Sequence, residues 1–216
     1  MLKTTSTKLQ VFAWALTGLV ILLAVLAWGQ GVNWQIVPIS TLHLFPIFGL
    51  IAFSTMWAQY MVSAGRQLLK VNSSALKLYY NVTGYLVLAC ILLHPGLLTW
   101  QLWRNGGGLP PGSELSYVMP GLKAFVILGI INLTILLLFE LRRAFAKRPW
   151  WKYMSYLVDA TMLSIFIHSL RLGTQLQHGW FRGVWLFYGA SLVLCLAYIY
   201  NQKLSSKPQP NKTKHK

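Results

Sequence analysis

Long apolar stretches separated by short polar ones dominate the chain. Apolar runs of spanning length recur six times, at 11–29, 42–63, 78–102, 121–140, 154–173 and 181–200. A helix needs about 20 such residues to cross the hydrocarbon core of a bilayer. The pattern therefore predicts an all-α membrane protein built as a bundle of six transmembrane helices.

The same pattern divides the chain into three parts. Residues 1–10 are expected to be a cytoplasmic N-terminus, 11–200 the six-helix membrane domain, and 201–216 a disordered, basic cytoplasmic tail. The outer loop 105–120 contains the sequence GGGLPPG and is expected to be flexible at its glycine end and stiff at its proline end. Glu114 is the only acidic residue in that loop.

The fifth predicted span differs from the others because it carries the densest polar content. A span with this many polar side chains is expected to face the interior of the bundle and to carry function. Its polar residues are Ser155, Asp159, Thr161, Ser164, His168 and Arg171.

Composition and charge agree with a membrane protein. Hydrophobic residues make up 56% of the 216 positions and charged residues only 10%, which excludes an ordinary soluble domain. With the N-terminus in the cytoplasm, 15 of the 19 Lys and Arg residues fall on the cytoplasmic side. This positive-inside bias predicts cytoplasmic termini and a multi-pass protein of the inner (cytoplasmic) membrane. The net charge of +16 thus orients the chain in its lipid bilayer, and nucleic acid is not an expected partner.

Two histidines lie inside predicted spans. His94 follows Lys77 by 17 residues and His168 follows Lys152 by 16, and both helices are expected to run outward. At about 1.5 Å per residue, both imidazoles lie roughly 24–26 Å from the cytoplasmic boundary. Two neutral imidazoles at one level on facing helices suit the axial positions of a haem iron.

Other roles for these histidines stay open from the residues alone. Membrane histidines also form interhelical hydrogen bonds and take part in proton relays. Zinc is disfavoured because no third or fourth ligand has suitable spacing, and Cys90 and Cys195 are expected to be buried thiols.

The residues around both histidines resemble the ferric-reductase-like transmembrane domain superfamily. This superfamily includes ferric reductases, the membrane domain of NADPH oxidases, and the haem subunit of the periplasmic methionine sulfoxide reductase system. The third span is similar in placing Gly84 ten positions before His94-Pro95. The fifth is similar in the sequence WKYMSYL (151–157) followed by His168. The resemblance covers roughly residues 10–200 and implies haem b held by His94 and His168.

The chain departs from the two-haem members of that superfamily. They carry a second histidine about 14 positions before the third-span ligand and 13 before the fifth-span ligand. Tyr80 and Ser155 occupy those positions here. The resemblance therefore implies a single haem b in the outer leaflet. Whether the inner position near Tyr80 and Ser155 holds quinone, flavin or lipid stays open.

The resemblance also suggests roles for neighbouring residues. Gly84 is expected to lie at the cofactor site, and Arg171 either pairs with a haem propionate or extends to the outer interface. His43 either bonds to headgroups and water or lies near the group that the histidine pair holds. Asp159 either takes part in proton uptake or quinone binding, or pairs with Lys152 or another inner base.

Taken together, the sequence predicts an integral membrane electron-transfer protein. It would exchange electrons with a separate donor and acceptor, such as a quinone, an extracytoplasmic partner or a ferric chelate. The chain has no dinucleotide-binding motif, so an oxidoreductase component without its own flavin or NAD(P)H domain is expected. The alternative is a cofactor-free assembly subunit or small transporter in which the histidines are interhelical hydrogen-bond partners.

Overall fold

Helices joined by short turns make up the part of the chain that the structure describes. This computed structural model describes residues 2–35, 40–140 and 147–205, without the side chains of residues 2–4, 152, 204 and 205. No β-strand occurs in those ranges. The α-helices are α1 Leu2–Gly31, α2 Thr41–Leu68, α3 Lys77–Arg104, α4 Gly112–Tyr117, α5 Lys123–Glu140, α6 Met154–Leu172 and α7 Trp180–Ser205. Short 3₁₀ segments at Ser73–Leu76, Pro120–Leu122, Pro149–Tyr153 and Thr174–Leu176 lead into or follow these helices.

Five of the helices are long and apolar enough to cross a membrane. They correspond to the first four predicted spans and the sixth, so a multi-pass membrane protein is confirmed. The fifth predicted span forms α6, which has 19 residues but a high polar content and is not among the five. Six spans and cytoplasmic termini stay predictions.

Two boundaries differ from the sequence prediction. Helix α1 begins at Leu2, within the segment expected to precede the first span, and α7 continues to Ser205. The helical hydrogen-bond ladder continues past the end of an apolar run because it does not depend on side-chain polarity. The rest of the predicted tail, 206–216, lies outside the described residues, as do Arg142 and Arg143 and the side chain of Lys152.

The outer loop also contains more structure than its composition suggests. Residues 112–117 form the short helix α4, and Glu114 is buried. The Thr99 hydroxyl donates to Glu114 Oε1 at 2.8 Å, and the Ser113 hydroxyl donates to Oε2 at 3.0 Å. Two hydroxyl donors supply the partners that a buried carboxyl requires, so α4 is held against α3.

Helix α2 lies at the centre of the bundle. It packs most extensively against α3 and α1, and it also contacts α7 and α6. Its contact with α7 is aromatic: Trp57 stacks on Tyr188 with ring centroids 4.3 Å apart, and Phe53 lies 4.7 Å from Trp185. The Trp57 indole N–H also donates to Ser191 Oγ at 2.9 Å. These rings form the main apolar core, together with Leu192 and Met162.

Hydrogen bonds join the helix termini at one end of the bundle. Trp28 of α1 donates to the carbonyl of His43 at 2.6 Å, and Trp180 of α7 donates to Gln30 at 2.7 Å. Thr41, at the start of α2, bonds to Gln101 near the end of α3. We call this the histidine end, because His94 and His168 both lie in the last turns of helices that finish there.

Candidate functional site

The ring of His94 is fixed by the backbone of a neighbouring helix. Its Nδ1 lies 2.8 Å from the carbonyl oxygen of Phe45, in the first turns of α2. A carbonyl only accepts hydrogen bonds, so Nδ1 carries the proton and donates. The lone pair of Nε2 is therefore free for another partner, because a neutral imidazole protonated at Nδ1 has its acceptor at Nε2.

A glycine in α2 makes this close approach possible. Gly49 lies one helical turn after Phe45, and a Cβ added there would be 2.8 Å from Cε1 and 2.9 Å from Nδ1 of His94. Those distances are shorter than any ordinary van der Waals contact. The imidazole therefore lies directly against the α2 backbone.

The same arrangement recurs at His168. Its Nδ1 donates to the carbonyl of Phe125, near the start of α5, at 2.7 Å. Gly129 follows one turn later, and a Cβ added there would lie 2.5 Å from Cε1 of His168. The α2–α3 and α5–α6 hairpins therefore orient a histidine in the same way, with a carbonyl and a glycine four residues apart.

The two imidazoles both lie at the histidine end. Each is bonded to a carbonyl in the first turns of the preceding spanning helix. Neither Nε2 has a hydrogen-bond partner among the described residues.

Gly84, which the sequence linked to the cofactor, has open space beside its Cα. Nothing lies within 4 Å of a Cβ added at Gly84, and the same holds for Gly96. The glycines that contact the histidines are Gly49 and Gly129, which sequence reasoning missed. The available signal was a phenylalanine four residues before a glycine in both FPIFG (45–49) and FVILG (125–129).

Arg171 and His43 occupy different places relative to the histidine pair. The Arg171 guanidinium lies over the ring of Phe125, 5.6 Å from its centroid, and Phe125 is the residue whose carbonyl holds His168. His43 is exposed in the first turn of α2, with Nδ1 3.3 Å from Ser40 Oγ. The structure thus brings Arg171 to the site, while the His43 ring contacts its own helix start.

Asp159 lies on α6 between two tyrosines from other helices. The Tyr60 hydroxyl of α2 donates to Oδ1 and the Tyr200 hydroxyl of α7 donates to Oδ2, both at 2.6 Å. The expected partner Lys152 has a side chain outside the described residues, and so do several inner-loop bases. Asp159 therefore joins three helices through its two oxygens.

The two residues at the predicted inner position have different surroundings. Tyr80 is partly buried with its ring 5.2 Å from that of Tyr79, within a second small core formed by α1, α2 and α3. Ser155 is exposed on α6. Both lie several helical turns from the histidine end.

Two imidazoles are the metal-binding groups that this arrangement offers. No set of three or more His, Cys, Asp and Glu side chains comes together in residues 2–35, 40–140 and 147–205. A tetrahedral zinc site needs three or four ligands, whereas haem iron takes two axial ones from the protein. In comparisons with known proteins, no protein-family model, no curated protein and no solved structure matches this chain.

Replacing Gly129 by alanine is expected to displace the His168 ring. The new methyl group would overlap Cε1, and overpacking of this kind costs about 1–3 kcal/mol of unfolding free energy. Unfolding of the purified protein in detergent measures this cost. Gly96→Ala is the matched control, because the open space there leaves only the gain in helix propensity. Equal stability of the two variants would contradict the role assigned to Gly129.

Proposed function

We propose that this chain is a haem b-binding membrane protein that transfers single electrons, with His94 and His168 as the axial ligands. The observation that carries the proposal is the matched fixation of the two rings. Each Nδ1–H donates to a backbone carbonyl, which leaves each Nε2 as a lone-pair donor on a ring that cannot rotate. Metal-bound histidines are commonly held in this way by their second nitrogen.

The surroundings of the pair fit this ligand set. The carbonyls of Phe45 and Phe125 fix the tautomer with the proton on Nδ1, which leaves Nε2 as the nitrogen that can bind iron. Gly49 and Gly129 let each ring lie close to a helix axis, so both rings are held rigidly. The guanidinium of Arg171 is available for an anionic propionate at the same end of the bundle.

Haem iron held by two imidazoles supplies one-electron chemistry without an open coordination position. The protein's own contribution is then to hold the two rings, to exclude water with the apolar side chains of α3 and α5, and to provide a cationic side chain at the edge. Electrons are exchanged with a separate donor and acceptor, such as a quinone, an extracytoplasmic protein or a ferric chelate. The chain therefore functions as one component of an oxidoreductase system.

The topology that goes with this function has six spans, with α6 as the fifth. Helix α6 is about 28 Å long at 1.5 Å per residue, close to the thickness of a hydrocarbon core. Two of its polar residues, Asp159 and His168, bond to other helices, which makes them tolerable in a span. With both termini in the cytoplasm and the chain in an inner (cytoplasmic) membrane, the histidine end lies in the outer leaflet. Tyr80 and Ser155 then stand at the positions where an inner ligand pair would be.

A cofactor-free function is the alternative, and one observation favours it. The Nδ1–carbonyl bonds of His94 and His168 are themselves interhelical hydrogen bonds, worth about 0.6–2 kcal/mol each in a membrane. A membrane assembly subunit or small transporter would use the histidines for this packing alone.

Haem content separates the two functions. The protein is to be purified in mild detergent from haem-replete cells, and its haem-to-protein ratio and reduced-minus-oxidised spectrum measured. We expect one haem b per chain, with a Soret band and sharp reduced visible bands. A colourless, monodisperse, helical preparation would overturn the haem proposal. A ratio near two would keep the proposal but contradict a single site.

A further inference from the structure

The two histidine hairpins differ in the layer of side chains next to each ring. Each hairpin has three positions in this layer. Two lie four and seven residues before the histidine (His94 or His168), and the third lies three residues after the glycine that the histidine contacts (Gly49 or Gly129). In the α2–α3 hairpin these positions are apolar and buried: Cys90, Val87 and Ala52. In the α5–α6 hairpin they are polar: Ser164, Thr161 and Asn132.

Each of these three side chains has a buried polar atom without a hydrogen-bond partner among the described residues. Thr161 is 2% exposed and Asn132 is 3% exposed. Within the described part of the chain, Thr161 Oγ1, Ser164 Oγ and Asn132 Nδ2 are buried atoms that make no hydrogen bond. A buried polar atom left without a partner is costly, so three of them in one layer require an explanation.

The register of the hairpin brings these three groups together. The contact between His168 and Gly129 fixes how the antiparallel helices α5 and α6 align. Asn132 lies about 4.5 Å past Gly129 along α5, and Ser164 and Thr161 lie about 6 and 10 Å before His168 along α6. Ser164 and Thr161 share the α6 face of His168, the face that packs on α5. The polar layer therefore lies in the hairpin interface, one to two turns from the His168 ring.

We propose that Asn132, Thr161 and Ser164 form a site for bound water inside the α5–α6 hairpin. A buried water typically makes about three hydrogen bonds to otherwise unpaired polar groups. The Asn132 amide N–H donates to the water oxygen, and the two water hydrogens bond to the hydroxyl oxygens of Thr161 and Ser164. All three unpaired atoms are then satisfied by one molecule.

Other ligand classes fit this layer less well. A metal cation needs acceptor atoms, whereas the unpaired atom of Asn132 is an N–H donor. An apolar group would leave all three polar atoms without partners. Water both donates and accepts, which matches one donor and two hydroxyl groups.

The bound water gives the two histidines different surroundings. His168 has a hydrated polar layer beside it, while His94 has a dry layer of Ala52, Val87 and Cys90. This inference does not depend on haem, because it rests on buried polar groups of the hairpin itself. It assigns the polar residues of α6 a role in hydrating the bundle interior.

Isosteric substitutions test the water site, because the proposal predicts whether each one lowers or raises the unfolding midpoint. Thr161→Val removes one water partner and is expected to lower the unfolding midpoint by about 2–4 °C. Thr55→Val is the matched control, since Thr55 has a fully buried hydroxyl on α2 that makes no hydrogen bond within the described residues and lies outside this layer. There, removing the hydroxyl is expected to leave the midpoint unchanged or to raise it. A rise for Thr161→Val would overturn the proposal.

A double-mutant cycle tests whether the groups share one ligand. The losses of unfolding free energy caused by Asn132→Leu and Thr161→Val are expected to add to less than their sum in the double variant. The reason is that Asn132→Leu already removes the water that Thr161 binds. Strict additivity would count against a shared water. If either variant does not fold, a high-resolution structure of the unaltered protein decides: solvent density between the three side chains supports the site, and continuous direct contact between them overturns it.

Discussion

His94→Ala and His168→Ala are each expected to abolish haem binding. Loss of a group that merely orients a metal ligand weakens binding about 10–100-fold, so loss of a ligand itself is expected to exceed about 100-fold. Each variant also loses its Nδ1 bond to Phe45 or Phe125. The measurement is the haem-to-protein ratio after purification, together with the amplitude of the reduced spectrum.

A control variant and a rescue experiment distinguish the loss of an iron ligand from a loss of folding as the cause of reduced haem content. His43→Ala is the matched control, because the exposed His43 ring contacts Ser40 and its loss is expected to leave haem content unchanged. Added imidazole is expected to restore part of the spectrum in His168→Ala, since the freed space matches the missing ring. Full haem content in His94→Ala or His168→Ala, with normal helicity, would refute the assignment of that residue.

Asp159→Ala is expected to lower the free energy of unfolding more than the other substitutions proposed above. The substitution leaves the hydroxyls of Tyr60 and Tyr200 without their acceptor, and hydrogen bonds to a charged group are worth about 1.5–3 kcal/mol each. The 2.6 Å distances lie in the range of O–H···O⁻ bonds. We expect the free energy of unfolding to fall by about 3–5 kcal/mol. Denaturant-induced unfolding in detergent measures this change.

The tyrosines provide the controls for this experiment. Tyr60→Phe and Tyr200→Phe each remove one bond and are expected to cost about half as much as Asp159→Ala. In the Tyr60→Phe/Tyr200→Phe background, Asp159→Ala is expected to add little, because its partners are already absent. An undiminished effect in that background would mean that Asp159 stabilises the bundle through other groups.

The sequence predicted the helices well and their termini less well. Apolar runs mark the part of a helix that lies in lipid, which is why five long helices coincide with predicted spans. Apolar runs do not mark where a helix ends, because polar residues beyond the run can continue the backbone hydrogen bonds of the helix. Gln10, outside the first predicted span, is in α1 and donates to the carbonyl of Ala75 at 2.6 Å.

The candidate site was predictable in part. Spacing from basic residues placed His94 and His168 at one level, and both lie at the same end of the bundle. The carbonyl acceptors were not predictable by themselves, because every residue carries a carbonyl. Only the repeated spacing from phenylalanine to glycine, in 45–49 and 125–129, marks the two contact points in the sequence. Gly84 was predicted from the third-span pattern of the family that the chain resembles, whereas the glycine that contacts His94 is Gly49 on α2.

The surroundings of Asp159 illustrate a second limit. Residues on one helix can be related by spacing, so Lys152 was the natural partner to consider, seven positions earlier. Tyr60 and Tyr200 lie on α2 and α7, about 100 and 40 residues away in the chain. Only the packing of three helices brings these groups together.

The central place of α2 has a consequence for the order in which the chain assembles. Its partners α1 and α3 are its neighbours in the chain, so a three-helix unit can form as soon as residue 104 has entered the membrane. The aromatic face of α2, with Phe53 and Trp57, gains Trp185 and Tyr188 only after α7 is synthesised. We therefore expect the chain to assemble sequentially, with these rings exposed to lipid in chains that are halted before α7.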